Sequence, residues 1–229
     1  MAVWEYWDVR ACLVAKVLTV TLVMTSVPGV LVSCASPEGC PDVEAVFARG
    51  TNDKPGVGVI GQAFVAALQS KVGSKSFGVY AVDYPASTDF PTALDGVRDA
   101  GNHVESMVAN CPKTKMVLGG YSQGAAVMGF VTSAAIPDGF DFADVPKPMP
   151  LDVAKHVAAV TLFGTPSNRF MGTIGAPPVV IGPLYQPKTL ELCAARDPVC
   201  ADGGDWAAHY SYADDGMVDQ AAIFAVTHL

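Results

Sequence analysis

A short glycine-flanked serine motif is the part of this sequence that points most directly to chemistry. Residues 120–124 read Gly-Tyr-Ser-Gln-Gly and match Gly-x-Ser-x-Gly, in which small residues let a strand turn sharply into a helix. An apolar run at 116–119 precedes the motif and small residues follow it, as this geometry requires. The turn would present the Ser122 hydroxyl above the carboxyl edge of a sheet. Ser122 is therefore a candidate nucleophile, although the same pattern also fits an ordinary serine at a helix N-terminus.

A serine hydroxyl needs a general base, and the sequence contains four histidines. On the strand–turn–helix scaffold that this motif indicates, the chain order is serine, then a carboxylate, then histidine. His103 precedes Ser122, His156 opens a predicted strand beside a lysine, and His228 is the penultimate residue. His209, predicted in a loop after the last strand, remains as the candidate base.

A carboxylate that orients the histidine must lie upstream of His209, and three aspartates qualify. Asp197 lies in a segment bounded by two cysteines and is followed by a proline, so a disulfide would make its loop rigid. Rigidity favours Asp197, because its task is to hold the histidine tautomer and stabilise the imidazolium. Asp202 and Asp205 lie among glycines and read as a solvated turn.

Two backbone N–H groups are candidates for binding an oxyanion. Gln123 opens the predicted helix, where the helix dipole and a free N–H favour developing negative charge. Thr51 lies in a loop, 49–52, directly after an early predicted strand, which is where a second donor is expected. The alternative for Thr51 is a plain turn.

The elements that must position these residues alternate along the chain. Strand-type and helix-type runs follow one another, which predicts a mainly parallel sheet between layers of helices. Two stretches rich in proline and glycine, 136–153 and 165–188, are predicted as loops, and no linker marks a second domain. Strands are predicted at 43–48, 77–84, 115–119, 156–163 and 189–192, and helices at 57–71, 92–109, 123–134 and 216–228.

Composition excludes several classes of protein. Of 229 residues, 51% are hydrophobic and 16% charged, which indicates a folded domain rather than a disordered chain. The net charge of −8 disfavours binding to nucleic acid or electrostatic attachment to anionic lipid. No histidines or cysteines have the spacing of zinc ligands, so neither a metal nor a cofactor is expected.

The first 35 residues resemble an export signal. They are mostly apolar but too interrupted for a comfortable membrane span, and Ser33-Cys34-Ala35 fits a cleavage site after Ala35. Two alternatives stay open: an uncleaved anchor, and a lipoprotein leader that ends before Cys34. Residues 36–229 are then predicted to form a single domain outside the cell or in the cell wall.

Four cysteines remain after the predicted leader, and an even set in an exported chain indicates two disulfides. Three connectivities are possible. The short separation of Cys193 and Cys200 favours a small closed loop, which leaves Cys40 and Cys111 to join the N-terminus to mid-chain. Free buried cysteines are the alternative.

Four ordered segments together resemble the cutinase family, in particular its exported mycobacterial esterases. The resemblance covers about residues 40–229, and four motifs in one order make it specific. The segments are Phe47-Ala48-Arg49-Gly50-Thr51, Val79-Tyr80-Ala81-Val82-Asp83-Tyr84-Pro85-Ala86, Gly119-Gly120-Tyr121-Ser122-Gln123-Gly124-Ala125 and Asp197-Pro198-Val199-Cys200.

This resemblance implies a compact α/β-hydrolase fold with a central five-stranded sheet and no lid. It implies a Ser-His-Asp triad, two oxyanion donors and two disulfides. The residues concerned are Ser122 as nucleophile, Asp197 as acid, His209 as base, Thr51 and Gln123 as donors, and the pairs Cys40–Cys111 and Cys193–Cys200.

The expected activity is that of a secreted, monomeric serine esterase acting on short- to medium-chain fatty acyl esters, with cutin-like polyesters or lipids as further candidate substrates. The apolar stretch 170–185 either lines an acyl groove or packs over the sheet. Two alternatives remain: a phospholipase or thioesterase with the same triad, and a non-catalytic exported lipid-binding protein of the cell envelope.

Overall fold

The centre of the molecule is a parallel sheet whose strands follow the predicted positions closely. The computed structural model describes residues 39–137 and 145–229. Within them, the sheet has the order β2-β1-β3-β4-β5, and every neighbouring pair is parallel. This confirms the parallel α/β architecture. The strands are β1 Val43–Ala48, β2 Phe77–Ala81, β3 Lys115–Tyr121, β4 Val157–Phe163 and β5 Thr189–Leu192.

Helices cover both faces of this sheet. The described α-helices are α1 Gly58–Lys71, α2 Ala93–Asn110, α3 Gln123–Val131, α4 Asn168–Thr173, α5 Trp206–Tyr210 and α6 Met217–Val226. Single 3₁₀ turns occur at Phe90–Thr92, Val153–Lys155 and Gln186–Lys188. The helices α1 and α6 pack on one face, and α2 and α3 on the other.

Two loop predictions are wrong in part, for one physical reason. The stretch 165–188 contains α4, and His209 lies in α5 rather than in a loop. Both helices are only five or six residues long, too short for a hydrophobic period to show. Each begins at a capping side chain: Ser167 accepts a hydrogen bond from Phe170 N–H, and Asp205 accepts one from Ala207 N–H.

The central strands are buried on both faces, which explains why they read as continuous apolar runs. Successive side chains point to opposite faces. Val46 therefore joins the core under α2 and α3, whereas Phe47 joins the core under α1 and α6. In the second core, the ring of Phe64 from α1 lies 5.9 Å from that of Phe47 and 5.6 Å from that of Phe163.

Parallel strands end at one edge, and the functional residues follow their carboxyl ends. Thr51 lies just after β1, Ser122 directly after β3, and Asp197 and His209 after β5. One strand ends earlier than predicted, since β2 stops at Ala81 rather than at residue 84. The sheet thus gathers candidates from distant parts of the sequence at a single edge.

The two predicted disulfides are confirmed: Cys40 pairs with Cys111, and Cys193 with Cys200. The predicted leader, 1–35, lies outside the described residues. None of the helices in the described ranges is long and apolar enough to cross a bilayer.

Candidate active site

The turn that carries Ser122 has the strained geometry that its motif predicts. Ser122 lies between β3 and α3 with φ 54° and ψ −116°, a backbone conformation that residues other than glycine rarely adopt. A Cβ added at Gly120 would lie 2.2 Å from the carbonyl oxygen of Gly124, and one at Gly124 would lie 2.0 Å from that of Ala48. Both contacts are impossibly short. The motif needs glycine on each side of the serine because the strand, the turn and β1 approach one another so closely.

The structure brings the three predicted triad residues into one hydrogen-bonded chain. His209 Nε2 lies 2.9 Å from Ser122 Oγ, and His209 Nδ1 lies 2.8 Å from Asp197 Oδ2. Ser122 is 9% exposed, His209 is 4% exposed and Asp197 is fully buried. With a proton on Nδ1 donated to Asp197, Nε2 is free to accept the Ser122 hydroxyl proton. This arrangement can activate a serine for attack on a carbonyl.

Asp197 accepts two further hydrogen bonds. Tyr212 donates its hydroxyl to Oδ2 at 2.6 Å, and Val199 N–H donates to Oδ1 at 2.7 Å. Burial acts to raise the pKa of Asp197, but the hydrogen bonds from His209, Tyr212 and Val199 outweigh it, and the pKa lies below its ordinary value. Asp197 therefore stays ionised although its side chain is fully buried.

Two tyrosines that the sequence analysis missed donate hydrogen bonds to residues of the predicted triad. Tyr212, fully buried, accepts a hydrogen bond from Ala194 N–H while it donates to Asp197. Tyr121 donates its hydroxyl to the carbonyl of His209 at 2.6 Å. Burial raises the pKa of both hydroxyls, which keeps them protonated as donors. Tyr121 occupies a variable position of the motif, and Tyr212 carried no sequence signal.

The loop with Thr51 is built around a buried arginine that the sequence analysis also did not assign. Arg49, 4% exposed, donates to the carbonyls of Asp53, Val82 and Tyr84. In return, the Tyr84 hydroxyl donates to the carbonyl of Arg49. The guanidinium thus ties the loop after β1 to the chain that leaves β2.

Thr51 and Gln123, the predicted oxyanion donors, line the cavity beside Ser122. Gln123 is the first residue of α3, so its N–H has no partner within the helix. Around Thr51, Asn52 N–H donates to Ala86 O and Asp53 N–H to Gly50 O. Within the described ranges, the N–H of Thr51 donates to no backbone carbonyl. Both N–H groups therefore remain candidates for binding a ligand at Ser122.

The cavity above Ser122 has a volume of about 440 Å³, within the usual range for small-molecule sites. The 170–185 stretch divides between the two predicted roles. Phe170, Ile174 and Ala176 line the cavity, whereas Tyr185 joins the core. At the mouth, exposed Trp206 contributes further apolar surface.

The other histidines lie outside this cavity. His103 pairs with Glu44, with 2.8 Å between Nε2 and Oε2, and stacks on the Tyr80 ring. Neither His156 nor His228 lines the cavity. In the part of the chain that the structure describes, no three histidine, cysteine or acidic residues are grouped so as to hold a metal ion.

Comparisons with known proteins agree on one family. The model of the family described as Cutinase matches residues 39–229. "Probable carboxylesterase Culp5" of Mycobacterium tuberculosis H37Rv is 69% identical over 166 residues, which are 72% of this chain and 95% of the relative. "Phospholipase Culp4" of the same strain is 47% identical over 191 residues, 83% of this chain and 80% of the relative.

A solved structure extends the likeness to three dimensions. It is a Trichoderma reesei cutinase in complex with a C11Y4 phosphonate inhibitor. The two chains are 36% identical with a TM-score of 0.62, and the match covers 82% of this chain and 76% of the other.

Proposed function

The chain belongs to the cutinase family, and from this premise we propose that it hydrolyses carboxylic esters through Ser122, His209 and Asp197. One observation carries the proposal. The Ser122 hydroxyl, the imidazole and the carboxylate form a continuous hydrogen-bonded chain at the floor of a cavity large enough for an ester.

The geometry supports a two-step reaction. His209 Nε2 takes the proton of Ser122 as Oγ attacks the ester carbonyl, and the N–H groups of Thr51 and Gln123 stabilise the oxyanion. The tetrahedral intermediate collapses, the alcohol leaves with the proton from His209, and an acyl-enzyme remains. Water then gives a proton to His209 and attacks the acyl carbon, and the acid is released with Ser122 regenerated.

The compartment and the state of the mature protein are part of the proposal. Residues 1–35 act as an export leader, and 36–229 form one catalytic domain that works as a monomer outside the cell or in its wall. The two disulfides support the location outside the cell, since such bonds persist in oxidising compartments.

Two classes of ester fit the site. The relative named a probable carboxylesterase supports carboxylic esters as substrates. Among these, the sequence analysis favours acyl chains of short to medium length. The relative named a phospholipase supports a phospholipid ester instead, hydrolysed by the same triad. A panel of p-nitrophenyl esters and diacyl phospholipids separates the two by the ratio of their kcat/KM values.

The nucleophile assignment is tested by Ser122→Ala. We expect kcat for p-nitrophenyl butyrate to fall by at least about 10⁴-fold, because no other group replaces the hydroxyl. Ser70→Ala, at an exposed position of α1, is the matched control and keeps wild-type activity. Retention of most activity in Ser122→Ala, with an unchanged melting temperature, would refute the assignment.

A further inference from the structure

The turn that carries Thr51 is closed by Asp53, a residue outside the triad. The N–H of Asp53 donates to the carbonyl of Gly50 at 3.1 Å, which closes a β-turn with Thr51 and Asn52 at its centre. The side chain of Asp53 closes the same turn a second time, because its Oδ2 accepts the N–H of Gly50 at 3.0 Å. Asp53 therefore bonds to both backbone polar groups of Gly50.

The backbone bond between these residues sets the direction of the Thr51 N–H. A trans peptide is planar, so its N–H and C=O point in opposite directions. The carbonyl of Gly50 and the N–H of Thr51 belong to one such plane, and Asp53 N–H fixes that carbonyl. The Asp53 carboxylate fixes the preceding plane, which contains the Gly50 N–H.

Gly50 is the joint between the two planes, and glycine rotates more freely than any other residue. A side chain has no room here, because a Cβ on Gly50 would lie 2.6 Å from the Tyr121 ring and 3.3 Å from Asp53 Oδ2. Partners outside Gly50 must therefore restrict its rotation. The Tyr84 hydroxyl donates to the carbonyl of Arg49 at one edge of the preceding plane, and the Asp53 carboxylate accepts the Gly50 N–H at the other.

The start of α1 leaves space for the Asp53 carboxylate. Gly58, the first residue of α1, has φ 72°, and a Cβ there would overlap Asp53 Oδ2. The first N–H groups of a helix lack partners within it and favour a nearby anion. Burial nevertheless raises the pKa of Asp53, although the Gly50 hydrogen bond and the Arg49 guanidinium act to lower it. A carboxylate placed where burial opposes its charge is typical of a functional site.

We propose that Asp53 is a positioning residue of the esterase, whose carboxylate keeps the turn at 50–53 in the conformation that aims the Thr51 N–H at the oxyanion. The proposal rests on the function proposed above, because the direction of this N–H matters only if an oxyanion forms at Ser122. Displacement of a group by about 1 Å can lower a rate by about 10²-fold. The alternative is that Asp53, which lines the catalytic cavity, contacts the substrate directly.

Two replacements of Asp53 separate its hydrogen bond from its charge. Asp53→Ala removes the acceptor for the Gly50 N–H, and we expect kcat for p-nitrophenyl butyrate to fall by about 10²-fold at nearly constant KM. Asp53→Asn keeps an acceptor oxygen, and its kcat should fall by no more than about fivefold, since a neutral hydrogen bond is about half as strong. Glu105→Ala, at an exposed position of α2, is the control and changes neither constant.

A variant on α1 reaches the same bond from the other side. Gly58→Ala displaces the Asp53 carboxylate instead of removing it, because the new Cβ takes the place of Oδ2. We expect it to lower kcat at nearly constant KM, as Asp53→Ala does, which keeps the test valid if Asp53→Ala does not fold. Melting temperatures identify any variant that fails to fold.

A double variant tests whether Asp53 and Arg49 act on one loop. Arg49 Nε donates to the carbonyl of Asp53 at 3.2 Å, so the two side chains belong to one hydrogen-bonded network. Effects within such a network do not add. We expect kcat of Asp53→Ala combined with Arg49→Met to lie within about threefold of that of the slower single variant.

Four results would overturn the inference. The carboxylate does not position the turn if Asp53→Ala and Gly58→Ala keep wild-type kcat. Asp53 contacts the substrate instead if KM rises while kcat is unchanged. Its charge matters rather than its hydrogen bond if Asp53→Asn is as slow as Asp53→Ala. Asp53 and Arg49 act separately if their losses multiply in the double variant. In each case Ser122→Ala still tests the esterase itself, so the two proposals fail separately.

Discussion

At the scale of single residues, Asp197 shows how hydrogen bonds stabilise and orient a buried carboxylate. Its Oδ2 accepts hydrogen bonds from both His209 and Tyr212, and its Oδ1 accepts one from Val199 N–H. Hydrogen bonds to a carboxylate are stronger than neutral ones and fix its orientation. Tyr212 therefore acts as a positioning residue, because its hydroxyl fixes Asp197 Oδ2, and that oxygen accepts the hydrogen bond from the His209 imidazole.

Replacing Tyr212 with phenylalanine isolates this role. A carboxylate whose folded pKa is lowered stabilises the fold above its unfolded pKa, and that contribution is lost as the pH falls through the folded pKa, below 3.8. Tyr212→Phe should raise the pKa of Asp197 and lower the free energy of unfolding at neutral pH by about 1.5–3 kcal/mol. Urea unfolding as a function of pH measures both effects.

The loss in Tyr212→Phe should shrink as the pH approaches and passes below the ordinary carboxylate value. Tyr210→Phe is the matched control, since Tyr210 is exposed at the mouth of the cavity. A loss of the same size at every pH would mean that Tyr212 contributes through packing rather than through its hydrogen bond to the charge.

At the scale of elements, the loop after β1 depends on the segment that follows β2. The Arg49 guanidinium donates to Val82 and Tyr84 across this gap, and Asn52 N–H donates to Ala86 O. Asn52 and Ala86 both have φ in the left-handed region, so these bonds hold a backbone that would otherwise relax. The position of Thr51 is thus set by a neighbouring element.

Arg49→Met keeps much of the side-chain length but removes its donors. The carbonyls of Asp53, Val82 and Tyr84 lose a partner, and each unsatisfied buried group costs about 1–3 kcal/mol. We expect kcat on p-nitrophenyl butyrate to fall by about 10²–10³, the effect of losing one oxyanion donor. Arg98→Met, at an exposed position of α2, is the control.

Steady-state kinetics then divide the effect of Arg49→Met between KM and kcat. Displacement of Thr51 should act on kcat, because in the proposed mechanism its N–H contacts the oxyanion in the transition state. A rise in KM at constant kcat would contradict the assigned role of this loop.

At the scale of the whole molecule, the two disulfides have different consequences. Cys40–Cys111 closes a separation of 71 residues and joins the N-terminal end of the described chain to the end of α2. Cys193–Cys200 closes a separation of 7 and encloses Asp197. In the chain-entropy account a longer loop stabilises more, by about 4 kcal/mol against about 2–3 kcal/mol for these two.

Paired replacements of the cysteines should separate stability from activity. Cys40→Ser with Cys111→Ser should cause the larger loss in the free energy of unfolding, measured in guanidinium chloride. Cys193→Ser with Cys200→Ser should cause the larger loss of kcat, because the loop that holds Asp197 becomes free to move. The opposite order in both measurements would contradict this division.

The sequence predicted the sheet and the candidate residues because the rules involved are local or ordered along the chain. The glycines around Ser122 form a short local motif, even though Gly124 is required by a contact with Ala48 of β1, and chain order leaves few candidates for the base and the acid. The residues that support the site, Tyr121, Tyr212 and Arg49, were missed because their contacts join distant parts of the sequence. The hydroxyl of Tyr121 meets the carbonyl of His209 across 88 positions, and Arg49 meets Tyr84 across 35. No periodicity or short motif records such pairs.

The most direct test of the account is covalent labelling of Ser122. When the protein reacts with a fluorophosphonate probe, Ser122 Oγ attacks the phosphorus atom of the probe. Fluoride leaves, and His209 takes the serine proton. Mass spectrometry of the labelled protein should place the adduct on Ser122, and His209→Ala should slow labelling by at least about 10³-fold. An adduct at another residue, or equally fast labelling without His209, would contradict the claim that this serine is activated by the triad.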